Sequence, residues 1–166
     1  IICTKCPAQL LPIERRIVSK HLKIKPYQQL FFTTQTYGSI RQLGGETASI
    51  TPGKSSTILC VTGIAQPAPY IAYLKTLAAK VVALPFADHH DFSERNIKEI
   101  ERKFEEISNR EKYIFTTEKD AVRLQEMKLP DNLKRHIYYI PVTPAFLQRE
   151  NILLHEISEY VRKYQK

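Results

Sequence analysis

No stretch of this 166-residue chain is apolar for the roughly 20 residues that a bilayer-spanning helix needs. The start lacks the charged and apolar regions of a secretory signal. These absences lead us to expect a soluble, cytoplasmic protein. Cysteine is scarce, with three residues, Cys3, Cys6 and Cys60. Cys3 and Cys6 form a C-x-x-C, but the second pair that a structural zinc site usually needs is missing. A redox motif should follow a strand and open a helix, and this one does so only loosely. Buried thiols are the expectation. Repeats and low-complexity segments are also missing. So is a basic stripe interleaved with aromatics, which weakens a nucleic-acid reading.

What is present fits a globular domain. Hydrophobic residues make up 43% and charged residues 25%. A chain of this length can bury roughly two-thirds of its unfolded surface. Lys and Arg total 25 against 17 Asp and Glu, a net charge of +8. That favours an anionic partner: a nucleotide, a phospholipid surface or nucleic acid. A basic surface that only aids solubility remains the plainer alternative.

The opening Ile1-Ile2-Cys3-Thr4-Lys5-Cys6-Pro7 reads as the end of a strand entering a loop, with no initiator methionine. A fragment of a longer protein is expected. Residues 8–23 carry apolar side chains near helical spacing. Residues 29–36 are rich in strand formers, Tyr37-Gly38-Ser39 reads as a turn, and 39–49 return as a second strand. Together these predict a β-hairpin, irregular at Gly44-Gly45. From Thr51 strands alternate with helices. Strands are expected at 56–61, 80–85, 112–116 and 136–141. Helices are expected at 69–79, 93–108, 120–127 and 148–164. The last helix should turn Ile152, Leu153, Ile157, Tyr160 and Val161 inward. The alternation predicts an α/β fold, a parallel sheet flanked by helices (a Rossmann-like α/β/α sandwich), preceded by a helix and a β-hairpin linker.

Gly53-Lys54-Ser55 imitates the end of a phosphate-binding P-loop. The motif also needs a glycine at position 48, which is Ala48, and should follow a strand. Here it precedes one, so a turn into the strand is expected.

Ligands of open parallel sheets collect beyond the carboxyl ends of strands, and three polar loops fall there. The first, Thr62-Gly63-Ile64-Ala65-Gln66-Pro67, is either an ordinary turn or a place where Gly63 lets backbone approach an anion. The second is Ala87-Asp88-His89-His90-Asp91. Asp91 with Glu94 fits a capping box. Asp88, His89 and His90 are not explained by capping, and an Asp/His pair suits acid–base work. The third runs Thr116 to Arg123. Either threonine can cap a helix, and Glu118 and Asp120 suit its N-terminus. Lys119 gains nothing there from the helix dipole. Lys119 and Arg123, four apart, could face a phosphate or simply be solvated.

In this order and spacing, TGIAQP, FADHHDF and TTEKDAVRL resemble the C-terminal part of the tetraacyldisaccharide 4'-kinase (lipid A 4'-kinase) family. Thr4-Lys5-Cys6-Pro7 before a helix, and then FFTTQTYGSI, resemble its middle. The resemblance implies an ATP- and Mg2+-dependent kinase of two α/β lobes joined by a two-stranded linker. Such a kinase phosphorylates the 4' hydroxyl of a lipid A precursor at the cytoplasmic face of the inner membrane. It implies a remnant of the N-terminal P-loop lobe at 1–28, the linker at 29–50 and the C-terminal lobe at 51–166. The phosphate-binding and magnesium-binding parts would then belong to that N-terminal lobe, and the chain alone should be inactive. The motif's D-H maps onto Asp88-His89, so His89 is the implied partner of a catalytic aspartate from the other lobe. Gly63, Lys119 and Arg123 are expected to face substrate or phosphate, and Thr4-Lys5 the nucleotide base. Cys6-Pro7 departs from the acidic position of that base-reading loop. No metal ligand is assigned in this chain, and no nucleic-acid partner is expected. The competing class is a non-enzymatic basic module that binds nucleic acid or an anionic membrane.

Overall fold

The computed structural model describes residues 1–164. Its strands are β1 (Ile2–Cys3), β2 (Phe31–Tyr37), β3 (Arg41–Gln42), β4 (Thr57–Thr62), β5 (Lys80–Pro85), β6 (Lys112–Thr117), β7 (Ile137–Ile140) and β8 (Val142–Phe146). Its helices are α1 (Pro12–His21), α2 (Ala68–Leu77), α3 (Glu94–Glu105), α4 (Glu118–Gln125), α5 (Asp131–Lys134) and α6 (Glu150–Tyr164). The chain divides into two compact units. One is Gly38–Pro141, and the other joins Ile1–Tyr37 to Val142–Lys166.

The Gly38–Pro141 unit is built on a sheet of order β3-β7-β6-β4-β5. The four strands β4 to β7 run parallel, and β3 pairs antiparallel with β7. Strand β4 reads Thr-Ile-Leu-Cys-Val-Thr and is buried along its whole length, as a central parallel strand should be. The chain leaves β4 through α2 to the outer strand β5. It then returns through α3 to β6 on the other side of β4. The direction of winding therefore reverses at β4, which opens a crevice beyond the carboxyl ends of β4 and β6.

Alternate side chains of the strands point to opposite faces. Leu59, Val61, Ile114 and Ile137 pack with Ile97, Ile100 and Phe104 of α3 and with Ala121 and Leu124 of α4. The α3 positions recur at i, i+3 and i+7, one stripe of a helix. Each fully buried side chain of this size contributes about 1.5–3 kcal/mol. Helix α2 buries Tyr70 and Leu74, one turn apart, and the Tyr70 hydroxyl donates to the Thr116 carbonyl at 2.7 Å. The parallel sheet flanked by helices is thus present as expected. Gly53-Lys54-Ser55 lies in a turn closed by Ser56 N–H on the Gly53 carbonyl (2.9 Å), leading straight into β4.

In the other unit β2 is central, with β1 parallel on one side and β8 antiparallel on the other. Phe31, Phe32 and Thr33 of β2 are buried, and Phe31 meets Phe146 edge-on at 6.4 Å. Helices α1 and α6 bury no side chain completely. Leu11, Ile13, Ile17 and Leu22 of the α1 segment are exposed. The expectation that α6 turns its apolar residues inward is corrected here. Tyr160 is 66% exposed, Ile157 50% and Val161 44%; Ile152 and Leu153 are half-buried.

The expected hairpin is not formed either. Strand β2 takes β8 as its antiparallel partner, from Thr33 opposite Phe146 to Tyr37 opposite Val142. The returning arm is reduced to β3, an edge strand on β7. Its Arg41 bridges Thr47 across a turn in which Gly44 (φ 124°) and Gly45 (φ 97°) take positive φ. Strands β2 and β8 are therefore an antiparallel pair made from distant sequence. Accordingly β8 and α6 group with the N-terminal residues rather than with 51–141, which differs from a contiguous lobe at 51–166.

Candidate active site

The three polar loops meet at the winding reversal of the Gly38–Pro141 unit. Helix α4 begins with Thr117, whose hydroxyl accepts the Asp120 N–H (3.2 Å) and donates to Asp120 Oδ2 (2.7 Å). This is an N-cap that also grips a side chain one turn on. Asp120 is completely buried. Its Oδ2 also accepts the Gly63 N–H at 2.9 Å, and its Oδ1 accepts Arg123 Nη1 at 3.2 Å. The carboxylate thus ties the loop after β4 to the start of α4. Gly63 continues the chain of contacts, because its carbonyl accepts the His89 N–H at 3.1 Å.

His89 takes a left-handed backbone (φ 56°), uncommon for a residue with a side chain. Its N–H also reaches Asp88 Oδ1 at 3.0 Å, so two acceptors hold that conformation. The ring is open to solvent: its side chain is 68% exposed. Asp88 Oδ2 lies 3.9 Å from His89 Nε2, beyond hydrogen-bond range. Asp88 therefore shapes the backbone beneath the ring more than it engages the ring.

Two cations crowd the same imidazole. Lys119 Nζ lies 3.2 Å from Nε2 and 3.4 Å from Nδ1, and Arg123 Nη2 lies 3.4 Å from Nδ1. His89, Lys119 and Arg123 are thus brought together. Gly63 is close by but in a different capacity. Its N–H is committed to Asp120 and is not available to an anion. A side chain there would meet Asp120 Oδ1 and His90 Cβ at 3.2 Å, so the glycine permits close packing.

His90 has a structural role. It stacks on Phe86 with ring centroids 4.8 Å apart, and a ring nitrogen meets Asn96 Oδ1 at 3.0 Å. The capping box of α3 is formed by Ser93 and Asn96, not by Asp91 and Glu94. Asn96 at the third helical position does the work expected of a glutamate.

Thr4 and Lys5 lie in the loop after β1, in the other unit, where Lys5 is left-handed at φ 58°. The Cys6 thiol approaches the Cys3 carbonyl at 3.5 Å, and burial raises its pKa. Cys60 on β4 is buried, and burial followed by the nearby Asp120 charge pushes its thiol up to about 12. Asp120 is the residue that sequence reasoning missed. An acid in the first turn of a helix is already accounted for by the dipole, and nothing in the letters marks it as buried. The one available signal was the unexplained Lys119 beside it.

A family model described as LpxK, Tetraacyldisaccharide-1-P 4'-kinase, matches residues 3–162. The chain belongs to this family. Curated tetraacyldisaccharide 4'-kinases resemble it closely. The protein from Phocaeicola vulgatus is 42% identical over 168 residues, covering 98% of this chain and 46% of the relative. That from Bacteroides fragilis is 37% identical with the same coverage, and that from Flavobacterium johnsoniae is 34% identical over 98% of this chain. The chain therefore spans about half the length of these 4'-kinases and corresponds to their C-terminal part. A crystal structure of LpxK from Aquifex aeolicus in complex with ATP shares 16% identity at a TM-score of 0.49 over 84% of this chain and 40% of that one.

Proposed function

We propose that this chain is the C-terminal half of an ATP-dependent kinase that phosphorylates the 4' hydroxyl of a tetraacyldisaccharide 1-phosphate. It would work with an N-terminal P-loop half, in an enzyme of lipid A synthesis that is cytoplasmic and peripheral to the inner membrane. The observation that carries this reading is the placement of FADHHDF and TTEKDAVRL, whose combination carries the family resemblance. They converge beyond the carboxyl ends of β4 and β6, where the winding reverses, and His89 stands exposed there.

Phosphoryl transfer asks a protein mainly for positioning and for stabilisation of charge. An exposed imidazole on a pinned backbone suits a partner that arrives from elsewhere. His89 would meet a catalytic aspartate of the N-terminal half, orient it and tune it for taking the sugar hydroxyl proton. Asp88 supports this by holding the His89 backbone. Thr4 and Lys5 would approach the nucleotide base. The residues present do not suit magnesium. The buried acid at the crevice, Asp120, is committed to Gly63, Thr117 and Arg123. Among the described residues no group of three or more potential metal ligands is formed. Magnesium is assigned to the N-terminal half.

The test is His89→Ala in a protein that carries this chain together with the N-terminal half found in its relatives. We expect kcat to fall about 10²-fold or more, with the KM for ATP within about threefold. Unchanged turnover would remove His89 from the mechanism.

A further inference from the structure

We infer that Lys119 and Arg123, the latter held in place by the buried Asp120, form a binding site for a terminal phosphate group. The inference rests on the kinase reading and deepens it. It is carried by an imbalance of charge with a fixed geometry.

Arg123 is only 22% exposed, and one edge of its guanidinium is fastened to Asp120, which is completely buried. The other edge, Nη2, is thereby aimed at the rim, 3.4 Å from the His89 ring. Lys119 Nζ reaches the same ring from the first turn of α4. A lysine gains nothing from the dipole at a helix N-terminus. Two cations on one imidazole also repel each other. Asp120 is the only carboxylate that offsets them among the described residues, and it reaches Arg123 alone. Neither Glu118 nor Asp88 makes an ion pair with either cation, although Asp88 Oδ2 lies 3.9 Å from His89 Nε2.

A phosphate completes this arrangement. A guanidinium edge and an ammonium match its oxygens with charge-assisted hydrogen bonds. The N-terminus of the eight-residue α4 adds favourable potential to the same place. The 4'-kinase reaction offers two phosphates of this kind: the 1-phosphate of the acceptor and the terminal phosphate of the nucleotide. The shared chemistry is a terminal, dianionic phosphate group, and the sources separate by experiment.

The protein carrying this chain with its N-terminal half is assayed as wild type, as Lys119→Ala and as Arg123→Lys. The lysine variant changes an exposed residue and should fold normally. The arginine variant keeps a cation for the buried Asp120 but loses the fork. Acceptors with and without the 1-phosphate are compared, and KM is measured separately for acceptor and ATP.

We expect KM for one phosphate-bearing ligand to rise about 10- to 100-fold. If the site takes the acceptor, its KM rises and the penalty disappears with the acceptor lacking the 1-phosphate. If it takes the nucleotide, the KM for ATP rises with either acceptor. In parallel, inorganic phosphate is titrated while the His89 ring resonances are followed. Wild type should respond, and Lys119→Ala should respond at several-fold higher phosphate. Both KM values within about twofold of wild type in both variants, with no response of His89 to phosphate, would overturn the site. A wild type that transfers no phosphate but still shows the Lys119-dependent response would defeat the kinase reading and leave the site standing.

Discussion

Gly63 shows how closely the crevice is fitted at the scale of single residues. A glycine replaced by alanine in relaxed backbone commonly gains about 0.4–1 kcal/mol, because the unfolded chain loses freedom. Here the added carbon would sit 3.2 Å from both Asp120 Oδ1 and His90 Cβ, and 3.4 Å from the Ala87 carbonyl oxygen. Neither of the first two can yield cheaply. Asp120 is held by Thr117, Gly63 and Arg123, and His90 is stacked on Phe86. We therefore expect Gly63→Ala to destabilise by about 1–3 kcal/mol, the range of an overpacked core. Urea unfolding reads this as a lowered midpoint, and a raised midpoint would show that the contact is loose. The same logic explains why Asp120 was illegible in the letters. Its partners come from positions 57 residues upstream, three residues upstream and three residues downstream. Only the folded sheet brings Gly63 to it.

Elements were legible where their own period decides them. The span of β5 was readable as 80–85, and α3 announced itself through Ile97, Ile100 and Phe104. Partnership between elements was not. Strand β8 contains Pro144, which argues against a strand until it is seen to be an edge. A proline-bearing edge strand more than a hundred residues away carries no local signal that would outweigh the nearest neighbour of β2 as its partner.

The packing of one element also sets a pH dependence. His136 opens into β7 with its ring against Phe104, centroids 5.1 Å apart. Burial, then Arg135 and Lys112, lower its pKa from the ordinary 6.5. Below that value the unfolded chain takes up a proton that the folded state resists. Stability should therefore be unaffected by this group above about pH 6.5 and be lost as pH falls toward the lower folded value. We expect the urea midpoint to drop from about pH 7.5 to about pH 5, and to drop less in His136→Gln. An identical drop in both proteins would place the acid sensitivity elsewhere.

At the scale of the molecule, the two units differ in how completely they bury their apolar side chains. The Gly38–Pro141 unit has a core in which Ile58, Leu59, Val61, Ile114 and Ile140 are wholly enclosed. The other unit leaves Leu11, Ile13, Ile17, Leu154, Ile157 and Tyr160 exposed on α1 and α6. Exposed apolar faces on short helices contribute little to stability, since packing supplies most of it. Hydrogen exchange should therefore divide the chain. Amides of β4 and β6 should exchange by global unfolding, whereas those of α1 and α6 should exchange by local opening with far lower protection. The family resemblance assigns residues 1–28, and with them α1, to the N-terminal lobe, so we expect that lobe to pack against this unit. Joining that lobe to the chain should then raise protection in α1 and α6 and leave β4 and β6 nearly unchanged. Protection of α1 and α6 equal to that of β4 in the chain alone would mean that these helices need no such cover. The kinase reading would then have to place the partner half elsewhere.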